Sequence, residues 1–157
     1  MRKSIMSQSG TGTSLPSAAS WLSLENLSRI ELSSEDPDHP FEHALRTDTT
    51  QGWMASTPGP QVFRLCFDEA QLLRRVRLQF REEHVERSQE IALFASVHGS
   101  PNKELVRQQW MFSPRGATDE VEDYCFDLEG VTAIELQIDP GRHDKAVFAT
   151  LEAIQIG

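Results

Sequence analysis

Cysteine is scarce in this chain: Cys66 and Cys125 are the only two among 157 residues. Two thiols are too few for a disulfide framework, and these two are too isolated for a C-x-x-C metal or redox motif. They read as reduced thiols; a bridge between them is open but unsupported by the pattern. Long apolar runs are also missing. Nowhere do about eighteen apolar residues follow one another, which leaves no candidate for a membrane-spanning helix. The opening stretch MRKSIMSQSGTGTSLPSAAS has basic residues but no continuous apolar segment of the kind a secretory signal needs, so a cytoplasmic location is expected. Positive charge is in deficit, with 15 Lys and Arg against 24 Asp and Glu, a formal charge of −9. Such a surface repels phosphate backbones and anionic lipids, so nucleic acid is not an expected partner. Catalytic signatures are absent too. There is no G-x-S-x-G, no H-E-x-x-H, no G-x-x-x-x-G-K and no cysteine beside a plausible base. The expectation is a protein that binds without transforming, with no cofactor.

What remains is a globular composition, 38% hydrophobic and 25% charged, in a length that suits one domain. Residues 1–20 are rich in Ser, Thr, Gly and Ala and read as a flexible tail; 21–157 read as the domain. Pro37 and Pro40 keep the stretch SSEDPDHPFEH from forming a helix. Beyond it, apolar and polar residues alternate in short runs, the period-two pattern of half-buried strands. Phe63, Leu65 and Phe67 share one face; so do Val76, Leu78 and Phe80, then Ile91, Leu93 and Ala95. Tyr124, Phe126 and Leu128 follow, then Ile134, Leu136 and Ile138, and last ATLEAIQIG. Alternation sets both cysteines off the main apolar stripe. The segments DEAQLL, REEHVERSQ, HGSPNKE, SPRGATDE, LEGV and DPGRHDK, rich in turn formers or charge, read as the connections. Asp68 to Leu73 has room for a single helical turn. Regularly spaced short strands of this kind predict an all-β antiparallel sandwich or barrel.

Three segments in order resemble the discoidin, or coagulation-factor C-type, group of galactose-binding-domain-like β-sandwiches. HALRTDTTQGWMASTPGPQVFRLCF is similar to the family's "NALDGDPNTGW…PGQWI.LDF" at the same spacing. VRLQF…ERSQEIALFASVHGS is similar to a strand followed by "R…Y.V..S.DG", and VTAIELQIDP…ATLEAIQIG to "V..LRI…ASLAEIEVYG". The resemblance spans 32–157 and implies an antiparallel jelly-roll-like sandwich in which Trp53 turns inward to plug one end. Many members hold calcium in the loop that here runs from Ala44 to Thr50. Asp48 falls on the second family aspartate, but Arg46 falls on the first, Thr47 on a glycine and Ala153 on a glutamate ligand. No metal is therefore expected, with Arg46 standing where the ion would be and available to Asp48.

The resemblance further implies a ligand surface built by loops at one end: 35–42, 46–53, 82–88 and 141–145. Within them His39, Phe41, His84, Arg87, Arg142 and His143 offer donors, planar cations and an aromatic taken to be exposed. Sugar recognition uses that mixture, an apolar ring against the pyranose and charge-stiffened donors to its hydroxyls. Carbohydrate is the leading ligand class. The competing reading is a protein-interaction module without a small ligand, self-associating through a sheet face. Three further clusters have plainer and sharper readings. His39 and His43 with Asp36 and Asp38 have transition-metal ligand chemistry, but the two prolines deny them the helix that would bring them together. Arg74, Arg75 and Arg77, with Arg64, read either as a solvated strand face or as a dock for an acidic partner or nucleic acid. Trp110 and Phe112 alternate as core strand residues would, or form an aromatic platform or a protein contact.

Overall fold

The computed structural model describes residues 21–46, 51–141 and 147–157. The expected tail, Asp48, Arg142 and His143 lie outside the described residues. A four-residue helix, α1 (Leu24–Leu27), leads into β1 (Ser28–Leu32), and a 3-10 turn over Phe41–Leu45 precedes β2 (Trp53–Met54). There follow β3 (Gln61–Arg81), β4 (Arg87–Val97), β5 (Lys103–Phe112), β6 (Asp119–Asp139), β7 (Thr150–Leu151) and β8 (Ala153–Ile156). All pairings are antiparallel: β1-β3-β6-β4-β5 in order, with β8 on the second half of β3 and β2 on β7.

Two strands are longer than the sequence predicts. DEAQLL and LEGV, expected as connections, lie inside the 21-residue strands β3 and β6, and Asp68 to Leu73 forms no helical turn. The reason is that both strands bend together and stay paired through the bend. Register slips between Cys66 and Arg75 on β3, opposite 125–133 on β6, mark the place. Gly130 supplies the needed backbone at φ +73°, a conformation that side-chain-bearing residues rarely adopt. Below the bend, 61–67 of β3 and 131–139 of β6 join β1, β4 and β5 in one layer. Above it, 71–81 of β3 and 119–128 of β6 join β8 in the other. The result is an all-β antiparallel sandwich, as the alternation and the resemblance led one to expect.

The predicted stripes fill the space between the layers. Phe63, Leu65, Val76, Leu78, Phe80, Ile91, Leu93, Ile134, Leu136 and Ile138 are all buried. Phe112 is buried with them, and Trp110 packs tilted on Phe80 with ring centroids 5.1 Å apart, so this aromatic run is core. Cys125 is exposed and Cys66 half-buried, and both are free thiols. Trp53 plugs one end as expected: it is 1% exposed, meets Phe63 edge-on at 5.0 Å and donates Nε1–H to the Ser34 carbonyl at 3.2 Å. Its neighbour Gly52 has no room for a side chain. A Cβ there would stand 2.1 Å from the Leu151 carbonyl oxygen and 2.6 Å from the Glu152 Cα.

The arginines do not make one cluster. Arg64 lies in the first half of β3 and donates to Asn102 at 2.8 Å, whereas Arg75 holds Asp123 in the other layer, Nε to Oδ1 at 2.7 Å. Arg77 stands 3.9 Å from the same carboxylate, and Arg74 is exposed. Charge on this face is answered internally, which favours the solvated-face reading over a dock.

A candidate carbohydrate site at the loop end of the sandwich

The antiparallel order sends the start of β3, the ends of β1 and β6 and the start of β4 to one end of the molecule. Four connections gather there: 33–40, 55–60, 82–86 and the chain on either side of 142–146. A single buried amide ties the first two. Gln61 Oε1 accepts from the Ser33 and Ser34 hydroxyls at 2.6 and 2.7 Å, and its Nε2 donates to the Thr57 carbonyl at 3.1 Å. Fixing two loops through one amide makes their geometry rigid before any ligand arrives.

Within the first loop, Asp36 and His39 form an isolated bridge. The Asp36 Oδ1 accepts from the Asp38 amide at 2.9 Å, and Met54 of β2 donates its amide to the His39 carbonyl at 3.1 Å. His39 Nδ1 lies 3.6 Å from Asp36 Oδ2, and both side chains are about one-third exposed, at 33% and 32%. The next aromatic is not where the sequence suggests. Phe41 is 1% exposed, its amide held by Glu35 Oε2 at 2.9 Å and its ring against Phe63 at 4.9 Å. The 3-10 turn swings it inward with Ala44, so it is a core residue and offers no platform.

The exposed aromatic of this end is Phe148, 42% exposed, which the sequence reading passed over. Its flanking carbonyls are fixed: Ala55 donates to Ala149 at 2.9 Å and Gly59 to Val147 at 3.0 Å. The ring is therefore presented from backbone held beside β2, the strand that also holds the His39 turn. Its signal in the sequence was an aromatic three residues past the polar GRHDK segment and just before the last strands.

Arg87, chosen as a ligand donor, faces inward instead. Its side chain is 3% exposed, with Nε on Glu82 Oε1 at 2.8 Å, Nη1 on Gln89 Oε1 at 2.7 Å and on the Pro140 carbonyl, and the guanidinium 5.0 Å above the Phe112 ring. Burial works to raise the Glu82 carboxyl, but the Arg87 hydrogen bond and the His84 and Val85 amides outweigh it and hold it below its ordinary value. Arg87 thus fixes 82–86 against the end of β6. His84 is exposed on that loop. It lies on the connection before β4, whereas His39 follows β1 and accepts from Met54 of β2, so the two histidines stand on different connections of the same end.

Calcium does not fit the donors described. Glu152, the acid nearest the family's last ligand position, stands 3.6 Å from Arg81 Nη1. By the resemblance Arg46 falls on the first ligand position, and the Asp48 it was expected to meet lies outside the described residues. Among the described residues no three His, Cys, Asp or Glu side chains gather as a metal site, the His39, His43, Asp36 and Asp38 set included.

No family model matches the sequence, and no curated protein matches it by sequence. Solved structures do match by fold. A family 32 carbohydrate-binding module of Clostridium perfringens, in complex with galactose, aligns with TM-score 0.62 and 13% identity over 87% of this chain and 96% of that one. A second module from Clostridium perfringens, in complex with GalNAc-β-1,3-galactose, gives 0.65 and 15% over 87% and 99%. A family 32 module in complex with 4,5-unsaturated mannuronic acid gives 0.60 and 13% over 83% and 95%. This chain shares the fold of these carbohydrate-binding modules.

Proposed function

We propose that this chain is a non-catalytic carbohydrate-binding module whose site lies at the loop end, with Phe148 as platform and His39 and Asp36 as polar partners. The observation that carries the reading is Phe148: a large ring left 42% exposed on backbone held at two points, where burial would otherwise be favoured. An apolar ring suits the C–H face of a pyranose, while an imidazole and a carboxylate suit its hydroxyls. The three fold relatives above, each solved with a saccharide, support the same class. His84 on the 82–86 connection is a further candidate contact, Arg142 and His143 are candidates by their sequence position alone, and Arg87 acts by positioning 82–86. A shallow site removes little ligand area from water, so binding is expected to be weak, and capture with no bond made or broken is the whole mechanism.

A glycan array probed with the native chain and with Phe148→Ala tests this. Binding to a set of related saccharides, lost at least tenfold in the variant while its thermal unfolding stays within a few degrees, is the expected outcome. An empty array together with a stable dimer in solution would instead favour a protein-interaction module.

A further inference from the structure

β6 runs along one side of β3 through the bend, so β1 and β8 both lie on its other side. On that flank α1 and the 3-10 turn over Phe41–Leu45 lie together, and Leu22 ties the chain down by donating its amide to the Ile156 carbonyl at 2.7 Å. An apolar groove stays open there. One half, about 290 Å³, lies over the buried Phe41 and Leu65, and the other, about 250 Å³, over the buried Ile154. Glu25 and Leu45 line both halves, which joins them. Ile30 and Leu45 are only half-buried in its walls, so a covering apolar side chain removes further apolar area from water.

The rim of the first half is acidic. Glu25 and Glu42 both line it, both are exposed, and neither meets a cation among the described residues. Arg46 lines the second half only and is itself engaged. The first half therefore suits an apolar side chain with positive charge close by. The chain carries that chemistry within reach. Residues 1–20 hold two charged side chains, Arg2 and Lys3, both cationic, and Ile5 and Met6 follow them. The 14 residues between Met6 and Trp21 are rich in Ser, Thr, Gly and Ala, a linker with a root-mean-square span of roughly 20 Å. Trp21 lines the second half, so the tether starts at the groove itself. A partner on so short a linker is present at about millimolar effective concentration, which suffices for a contact too small to hold a separate peptide.

We propose that this groove is a docking surface for the chain's own first six residues, with Ile5 and Met6 seated against Ile30 and Leu45 and with Arg2 and Lys3 answering Glu25 and Glu42. Residues 7–20 serve as the tether. The occupant is intramolecular, since the two halves of the contact are complementary in charge and are joined by a linker long enough to bring them together.

Amide NMR and backbone relaxation of the full chain test this, with three variants: Ile5→Ser with Met6→Ser, Arg2→Glu with Lys3→Glu, and that charge reversal combined with Glu25→Lys and Glu42→Lys. In the native chain the amides of residues 5 and 6 are expected to relax with the domain and not with the tether, unchanged on tenfold dilution. The first two variants release them and shift the amides of 24–30 and 41–45, with β4 and β5 silent; the fourfold reversal restores the restraint. The proposal is overturned by native amides at 5 and 6 as mobile as those of 7–20, or by restraint indifferent to charge reversal. Restraint lost on dilution also overturns it and gives the groove to a second copy. Should the fourfold variant fail to fold, the first two variants and the dilution series decide.

Discussion

A guanidinium withdrawn from water is costly unless each of its donors finds an acceptor, and Arg87 shows how this chain meets that demand. Its side chain is 3% exposed and is answered by Glu82, Gln89, the Pro140 carbonyl and the Phe112 ring. Arg87→Met, which keeps volume but removes the charge, strands the Glu82 carboxylate and the Pro140 carbonyl. It is expected to cost about 3 kcal/mol at neutral pH, measured by urea unfolding. The Glu82 carboxyl is held below its ordinary value, so the pair's contribution is present above the usual carboxylate range and lost as pH falls through the depressed folded value. The penalty of the variant should therefore shrink in acid. The inward position of Arg87 was legible from parity, since it shares a strand face with Ile91 and Leu93. Its place in a polar loop segment suggested a ligand donor instead. Phe41 was misplaced for the same reason: local polarity says nothing of a 3-10 turn that folds one ring back onto Phe63.

Elements repeat the lesson at a larger scale. The alternating stripes gave the correct inward faces throughout, because period two depends only on the chain's own geometry. The ends of β3 and β6 were not legible, because turn-forming residues mark a bend as readily as a turn. Whether strands stop or pass into the second layer depends on a partner 50 or more residues away, as with Gln71 and Val131. One short pairing was half-readable: the Gly-Trp step before β2. Gly52 lets β2 lie against β7, and Gly52→Ala would drive a Cβ into three backbone atoms of 151–152. Backbone cannot swing aside as a side chain can, so a loss of about 3 kcal/mol is expected, with Trp53 moving toward solvent. Thermal unfolding and a red-shifted tryptophan emission would report both effects.

For the whole molecule, the sandwich and its buried Trp53 were legible because three segments in order carried the resemblance, and the structure and its fold relatives agree with it. The site was only partly legible. Its candidate residues are held by long-range hydrogen bonds: those from Ala55 and Gly59 fix the backbone on either side of Phe148, and the one from Met54 fixes the His39 turn. A shared fold hosts unrelated functions, so the binding claim rests on that end of the sandwich alone. Amide NMR of the native chain during titration with a galactose-terminated saccharide addresses it directly. The account predicts saturable shifts concentrated in 36–39, 54–57 and 147–149, with the outer sheet faces silent. Shifts spread over the outer faces, or none with galactosyl, N-acetylgalactosaminyl or uronic acid ligands alike, would contradict it.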